Sequence, residues 1–69
     1  MKSGSKMSGD EVLAEVEWLL GGGIHPEHIA KQVDRSVAAI TRIARRHGHA
    51  EIARRFGAVE KAQLARAAA

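Results

Sequence analysis

The sequence predicts an all-α domain with three core helices and a C-terminal fourth. Two observations carry that expectation. Apolar residues recur three, four and seven positions apart through most of the chain, without strand-like alternation. Alanine is frequent and proline occurs once, a composition that favours helix. A third observation bounds the size: 69 residues make one domain at most. A chain this short buries only about 60% of its unfolded surface, so its helices must pack well or a partner must help. With no cysteine, neither a disulfide nor a thiolate metal site can staple it.

Residues 1–8 are expected to be disordered or tag-derived. The start MKSGSK lacks the apolar stretch of a secretory signal, and Met7-Ser8-Gly9-Asp10 looks like a natural beginning. Helix 1 is expected from about Gly9 to Leu20, with Ser8 as N-cap and Glu11 closing a capping box. Val12, Leu13, Val16, Leu19 and Leu20 form its apolar stripe. Trp18 lies nearly opposite that stripe. Either the C-terminal helix folds back over it, the plainer expectation, or it is a dimer or partner contact.

Gly21-Gly22-Gly23 ends helix 1. It is not a phosphate-cradling loop, because no strand precedes it and the G-x-G-x-x-G pattern is absent. Ile24 is expected in the core, with His25 capping helix 2 and Pro26 in its first turn. Helix 2 runs from about Pro26 to Val33 and buries Ile29, Ala30 and Val33. Asp34-Arg35 makes a turn, Ser36 caps helix 3, and Gly48 stops that helix after His47. Helix 4 starts near His49 and packs through Ile52, Phe56 and Val59, with Gly57 weakening its middle. Residues 65–69 are expected to fray, which sets the domain at 9–64.

Charge divides the chain. Through residue 34, three lysines oppose six acids, a net of −3; from residue 35, seven arginines and Lys61 oppose Glu51 and Glu60, a net of +6. An acidic flank and a basic face suggest a polyanion partner. Within residues 26–47 the spacing is that of two crossed helices joined by a sharp turn. Ala30 is the small residue at the crossing, Asp34 follows four residues later at the turn, and Ile40 and Ile43 lie ten and thirteen after Ala30.

Residues 29–36, IAKQVDRS, then Ala39-Ile40 and Ala44-Arg45-Arg46-His47-Gly48, resemble small bacterial and phage helix-turn-helix DNA-binding proteins, whose usual wording is IA-x-x-LGRS. The likeness extends over about residues 10–60. Asp34 departs from the family's glycine, and Arg35 from the aliphatic residue common in the wider class. The resemblance implies a sequence-specific double-stranded DNA partner and a role as a small transcriptional regulator in the cytoplasm of a bacterium or phage-infected host. It also implies base-edge contacts from Ala38, Thr41, Arg42 and Arg45. Arginine suits guanine O6 and N7 through two hydrogen bonds. Arg35, Ser36 and Arg46, with His28 at the start of helix 2, suit phosphates, a role that Glu27 would oppose. Ile40, Ile43, Ala44 and His47, with Val37 at one edge, are expected to face the core. Arg54, Arg55 and Arg66 are read as solvated, the first two within reach of phosphate.

Other classes are weighed on the same residues. His25, His28, His47 and His49 could form a zinc set only without any cysteine or further ligand pair, and no metal or cofactor is expected. No nucleophile–base arrangement or paired carboxylates sit in a credible cleft, so neither catalytic residues nor a small-molecule substrate are expected. No apolar run approaches a membrane span. A homodimer remains open. The alternatives are a recombination accessory factor using the same DNA contacts, and a protein-interaction module working through Trp18 and helix 1.

Overall fold

The computed structural model describes residues 8–68; most of the segment 1–8 read as disordered or tag-derived, and Ala69, lie outside the described residues. The fold is all-α, with α1 (Gly9–Gly21), α2 (Pro26–Gln32), α3 (Val37–Arg46) and α4 (Ala50–Ala68). Each of the first three helices begins on a side-chain cap. Ser8 Oγ accepts from Glu11 N at 3.3 Å while Glu11 Oε1 accepts from Ser8 N at 2.9 Å, the reciprocal capping box. His25 Nδ1 accepts from Glu27 N at 3.1 Å, and Ser36 Oγ from Ala39 N at 3.0 Å.

The same three helices end alike. After α1, Gly23 N donates to Leu20 O and Ile24 N to Leu19 O; after α2, Asp34 N donates to Lys31 O and Arg35 N to Ala30 O; after α3, Gly48 N donates to Arg45 O and His49 N to Ala44 O. These are three Schellman turns, each closing orphan carbonyls through one residue in the left-handed region. That residue is Gly23 (φ 83°), Asp34 (φ 56°) and Gly48 (φ 76°). Asp34 is thus the one non-glycine with positive φ among the described residues, as the turn reading expected.

The core is one cluster contributed by all four helices: Val12, Leu13, Val16 and Leu19; Ile29, Ala30 and Val33; Val37, Ile40 and Ala44; Ile52 and Phe56. Leu20, Ile43 and Val59 border it. α4 packs chiefly on α3 and touches α2, while α1 packs on α2 and α3. The imidazole of His47 sits on the first turn of α1. Its Nδ1 lies 2.9 Å from Asp10 Oδ1, and a Cβ at Gly9 would come within 2.7 Å of Nε2. His47 is therefore a polar edge residue on α1 and is not buried.

Three expectations need correction. α4 does not cover Trp18, which is 74% exposed, because the apolar face of α4 is spent on α3. Ile24 is not in the core but 36% exposed. As the residue after Gly23 in the Schellman turn it stays beside Leu19 at the end of α1. The tail is helical past residue 65. Helix continues to Ala68, held where Gln63 Nε2 and Arg66 Nη2 donate to Glu27 Oε2 at 2.8 and 3.2 Å.

Two predictions follow from these local contacts. Asp34→Gly removes a left-handed strain of about 1–2 kcal/mol and adds unfolded-state entropy that offsets part of it. The expected net gain of about 0.5 kcal/mol raises Tm by roughly 2–4 °C for a domain this size; a clear fall in thermal unfolding by circular dichroism would contradict the turn. Glu27 is the tether of α4. The hydrogen bond from Gln63, with Arg66 beside it, holds its carboxyl below the usual carboxylate range. A depressed carboxyl stabilises above its unfolded pKa, and that contribution disappears as pH falls through the lower folded value. Glu27→Ala at neutral pH, or acidification of the wild type below about pH 4, should therefore speed amide hydrogen exchange over residues 63–68 before residues 52–59 respond.

Candidate nucleic-acid interface

The candidate interface is the part of α3 left open by its packing. Val37, Ile40, Thr41 and Ala44 are buried, a stripe at i, i+3, i+4 and i+7. With 100° per residue, the opposite side carries Ala39, Arg42 and Arg46. Arg42 and Arg46 are exposed, Ala38 and Ala39 are half-buried, and Arg45 is exposed along the α4 side. The side chains span a helix about 15 Å long at 1.5 Å per residue.

Thr41 is the correction. Its side chain is 1% exposed, Oγ1 donates to Val37 O at 2.9 Å, and Cγ2 lies 3.8 Å from where a Cβ of Gly57 would stand. It is a helix–helix contact and cannot reach a base edge from there. α4 docks on this side of α3, so the buried stripe is rotated towards Thr41 and away from Ile43, which is only half-buried. Arg45 is affected too: its Nη2 lies 3.9 Å from the Cβ position of Gly57, so its guanidinium runs along α4. Of the four residues expected at base edges, Arg42 is the most openly presented, Ala38 and Arg45 flank it, and Thr41 is withdrawn.

Three of the four expected phosphate contacts meet in one place. His28, Arg35 and Ser36 line an open cleft of about 480 Å³ with Lys31, Glu27 and Gln63. Ser36 also caps α3, whose first-turn N–H groups have no partner within the helix and carry the positive end of its dipole. Arg35 is partly exposed and its Nη1 donates to Asp34 O at 3.2 Å. Arg46, the fourth, lies at the far end of α3. The cleft thus lies at the N-terminal end of α3, and Arg42 and Arg46 stand on the open face of that helix.

The acid in this cleft is the part that sequence reasoning left unresolved. Glu27 would repel a phosphate, yet Gln63 and Arg66 bond its carboxylate, so its charge is directed into α4. Arg66, read as solvated, is a structural partner. Arg54 and Arg55 remain exposed, but both pair with Glu51, Arg55 through Nε at 2.6 Å. Their signal was legible: i, i+3 and i, i+4 spacing from an acid is the helix ion-pair pattern. The Glu27 contact spans 39 positions and had no local signal. His25 is an N-cap and His47 a polar partner of Asp10, with His28 edge-on to His25 at 6.5 Å.

Away from this surface, Trp18 and Ile24 border an apolar groove of about 470 Å³ at the end of α1, with Glu17, Leu19, Gly21 and Gly22. Asp10, Glu11, Glu15 and Glu17 are exposed on the same helix, which carries no basic residue. No helix among the described residues is long and apolar enough to cross a membrane. Comparison with protein-family models, with curated proteins and with solved structures finds no match.

Proposed function

We propose that the chain binds double-stranded DNA with α2, the Asp34 turn and α3 acting as a helix-turn-helix. The observation that carries this reading is the exposed pair Arg42 and Arg46 on the open face of α3, with Lys31 and Arg35 lining a cleft at that helix's N-terminal end, while the unpaired acids of α1 lie on another helix. Phosphates meet Lys31, Arg35, Ser36 and Arg46 and set the register; base edges meet Arg42, with Ala38, Ala39 and Arg45 beside it. The role that fits a binding surface without a reaction centre is that of a small transcriptional regulator of bacterial or phage origin, acting in the cytoplasm. Occupancy of a site then blocks or recruits other machinery. A recombination accessory factor would use the same contacts.

A single module of this kind covers roughly 600–1,000 Å², and one arginine at its centre discriminates one guanine at about 1–3 kcal/mol. High selectivity therefore needs tandem sites or a second copy. The interaction-module reading draws its support from the exposure of Trp18 and is compatible with DNA binding, since the two surfaces are separate.

The test is titration of random and selected duplexes across a salt series. Log K should fall against log salt with a slope of about −0.9 per phosphate neutralised. Arg42→Ala should lower affinity for the selected site by about 1–3 kcal/mol and relax the preference at one base position. Thr41→Val should leave that preference unchanged and shift stability by no more than about 1 kcal/mol. Absence of duplex affinity at low salt would overturn the reading.

A further inference from the structure

Two features of the surface are not used by the DNA reading. One is the outer face of α1. Ala14 and Trp18, four residues apart, are exposed at its centre, and Glu15 and Glu17 beside them have no hydrogen-bond or ion-pair partner among the described residues. Asp10 and Glu11 are committed to His47 and Ser8. The other is the outer face of α4. Arg54, Ala58, Lys61 and Ala65, at i, i+4, i+7 and i+11, form one exposed stripe, and Leu64, 63% exposed, flanks it. Lys61 has no partner among the described residues. Trp18 and Leu64 are the two most exposed large apolar side chains.

We infer that these two faces meet between copies of this chain, the Trp18 face of α1 in one molecule seating on the Lys61 stripe of α4 in the next. The chemistry matches on both counts. Ala58 and Ala65 leave shallow gaps on either side of Lys61, against which an indole can pack; Lys61 then stands opposite Glu15 and Glu17, while Arg54 stays paired with Glu51. A symmetric contact through Trp18 alone is disfavoured, because a two-fold axis there sets the acids of one copy against the same acids of the other. Like charges in register oppose association.

The contact is head-to-tail, so each copy keeps one face of each kind free, and copies extend as an open chain when the rotation between them does not close a ring. One helix face on another is also small against the roughly 800 Å² per partner of a standard interface. The association is therefore weak in free solution. Its consequence rests on the DNA reading: copies held on neighbouring sites experience a high effective concentration, and a contact too weak to form a stable oligomer then makes their binding cooperative.

The contact is tested without DNA, which separates it from the proposed function. Sedimentation equilibrium of the whole chain at low salt, up to about 1 mM protein, should show the weight-average mass rising past that of a dimer without a plateau, as a Kd in that range requires. Trp18 emission should shift to the blue over the same range. Added salt should reverse both, because exposed charges are screened. Trp18→Ala should weaken association by about thirtyfold, the scale of an aromatic hot spot. Glu15→Lys or Lys61→Glu alone should each weaken it by about two- to fivefold, and the two together should restore it. Thermal unfolding checks that each variant is folded. A monomer throughout, a plateau at dimer, or a double variant no better than the single ones would overturn the inference. Duplex binding by a strictly monomeric protein would leave the DNA reading standing alone.

Discussion

The packing of α4 on α3 sets the terms for everything else in this molecule. Phe56 and Ile52 are buried against the stripe Val37–Ile40–Thr41–Ala44. A domain of this length has roughly 3–10 kcal/mol of stability in all, at 0.05–0.15 kcal/mol per residue. Emptying one phenylalanine site costs about 3–5 kcal/mol, so the seat of Phe56 alone is comparable to the whole. The same contact decides which side of α3 faces solvent. Burying Thr41 leaves Arg42 and Arg46 farthest from the packed side of that helix, with Arg45, also exposed, turned towards α4. It also consumes the apolar face of α4, and Trp18 is left without a cover.

The connections are as constrained as the core. Three Schellman turns in 69 residues leave little free loop, and each turn aims the residue that follows it. The turn at Gly23 keeps Ile24 at the end of α1. The turn at Asp34 presents Arg35 to the cleft beside Ser36 and Lys31. The turn at Gly48 sends the chain back along α3 as α4. Local strain at Asp34 and the cation after it thus occur together at a turn that borders the proposed DNA surface.

Most of the fold was legible in the sequence because its signals are local. Ser8 and Glu11 cap a helix three residues apart, Gly23 and Gly48 sit where helices must stop, and the stripes of α1 and α2 follow from spacing. Asp34 stood out because the motif asks for a left-handed residue there. The candidate site was legible only in part, and for one reason. Which of two adjacent stripes on α3 is buried depends on where α4 docks, and no local pattern encodes a helix-to-helix azimuth. Val37–Ile40–Thr41–Ala44 and Ile40–Ile43–Ala44–His47 are both plausible stripes on chemistry alone. A clue did exist in the pairing of a mid-helix glycine, Gly57, with a threonine: a small notch and a short side chain able to bond its own helix backbone suit close helix contact. The Glu27–Gln63–Arg66 cluster had no such clue, being joined only by the fold.

The distribution of charge gains its meaning from this arrangement. In the sequence it was a difference between halves of a chain. In the fold, several of the ions cancel locally: Glu27 with Arg66, and Glu51 with Arg54 and Arg55. Outside those pairs stand Glu15 and Glu17 on α1, Lys31 on α2, Arg42, Arg45 and Arg46 on α3, and Glu60 and Lys61 on α4. Charges already paired contribute little to recognition, since their field is largely spent nearby. The net charge of +3 therefore understates the polarity of the surface, which is a basic edge and an acidic, Trp-centred face on different helices. On the proposed reading, that separation would let a polyanion and a second copy engage the same small domain together, because neither would have to displace the other's counter-charge.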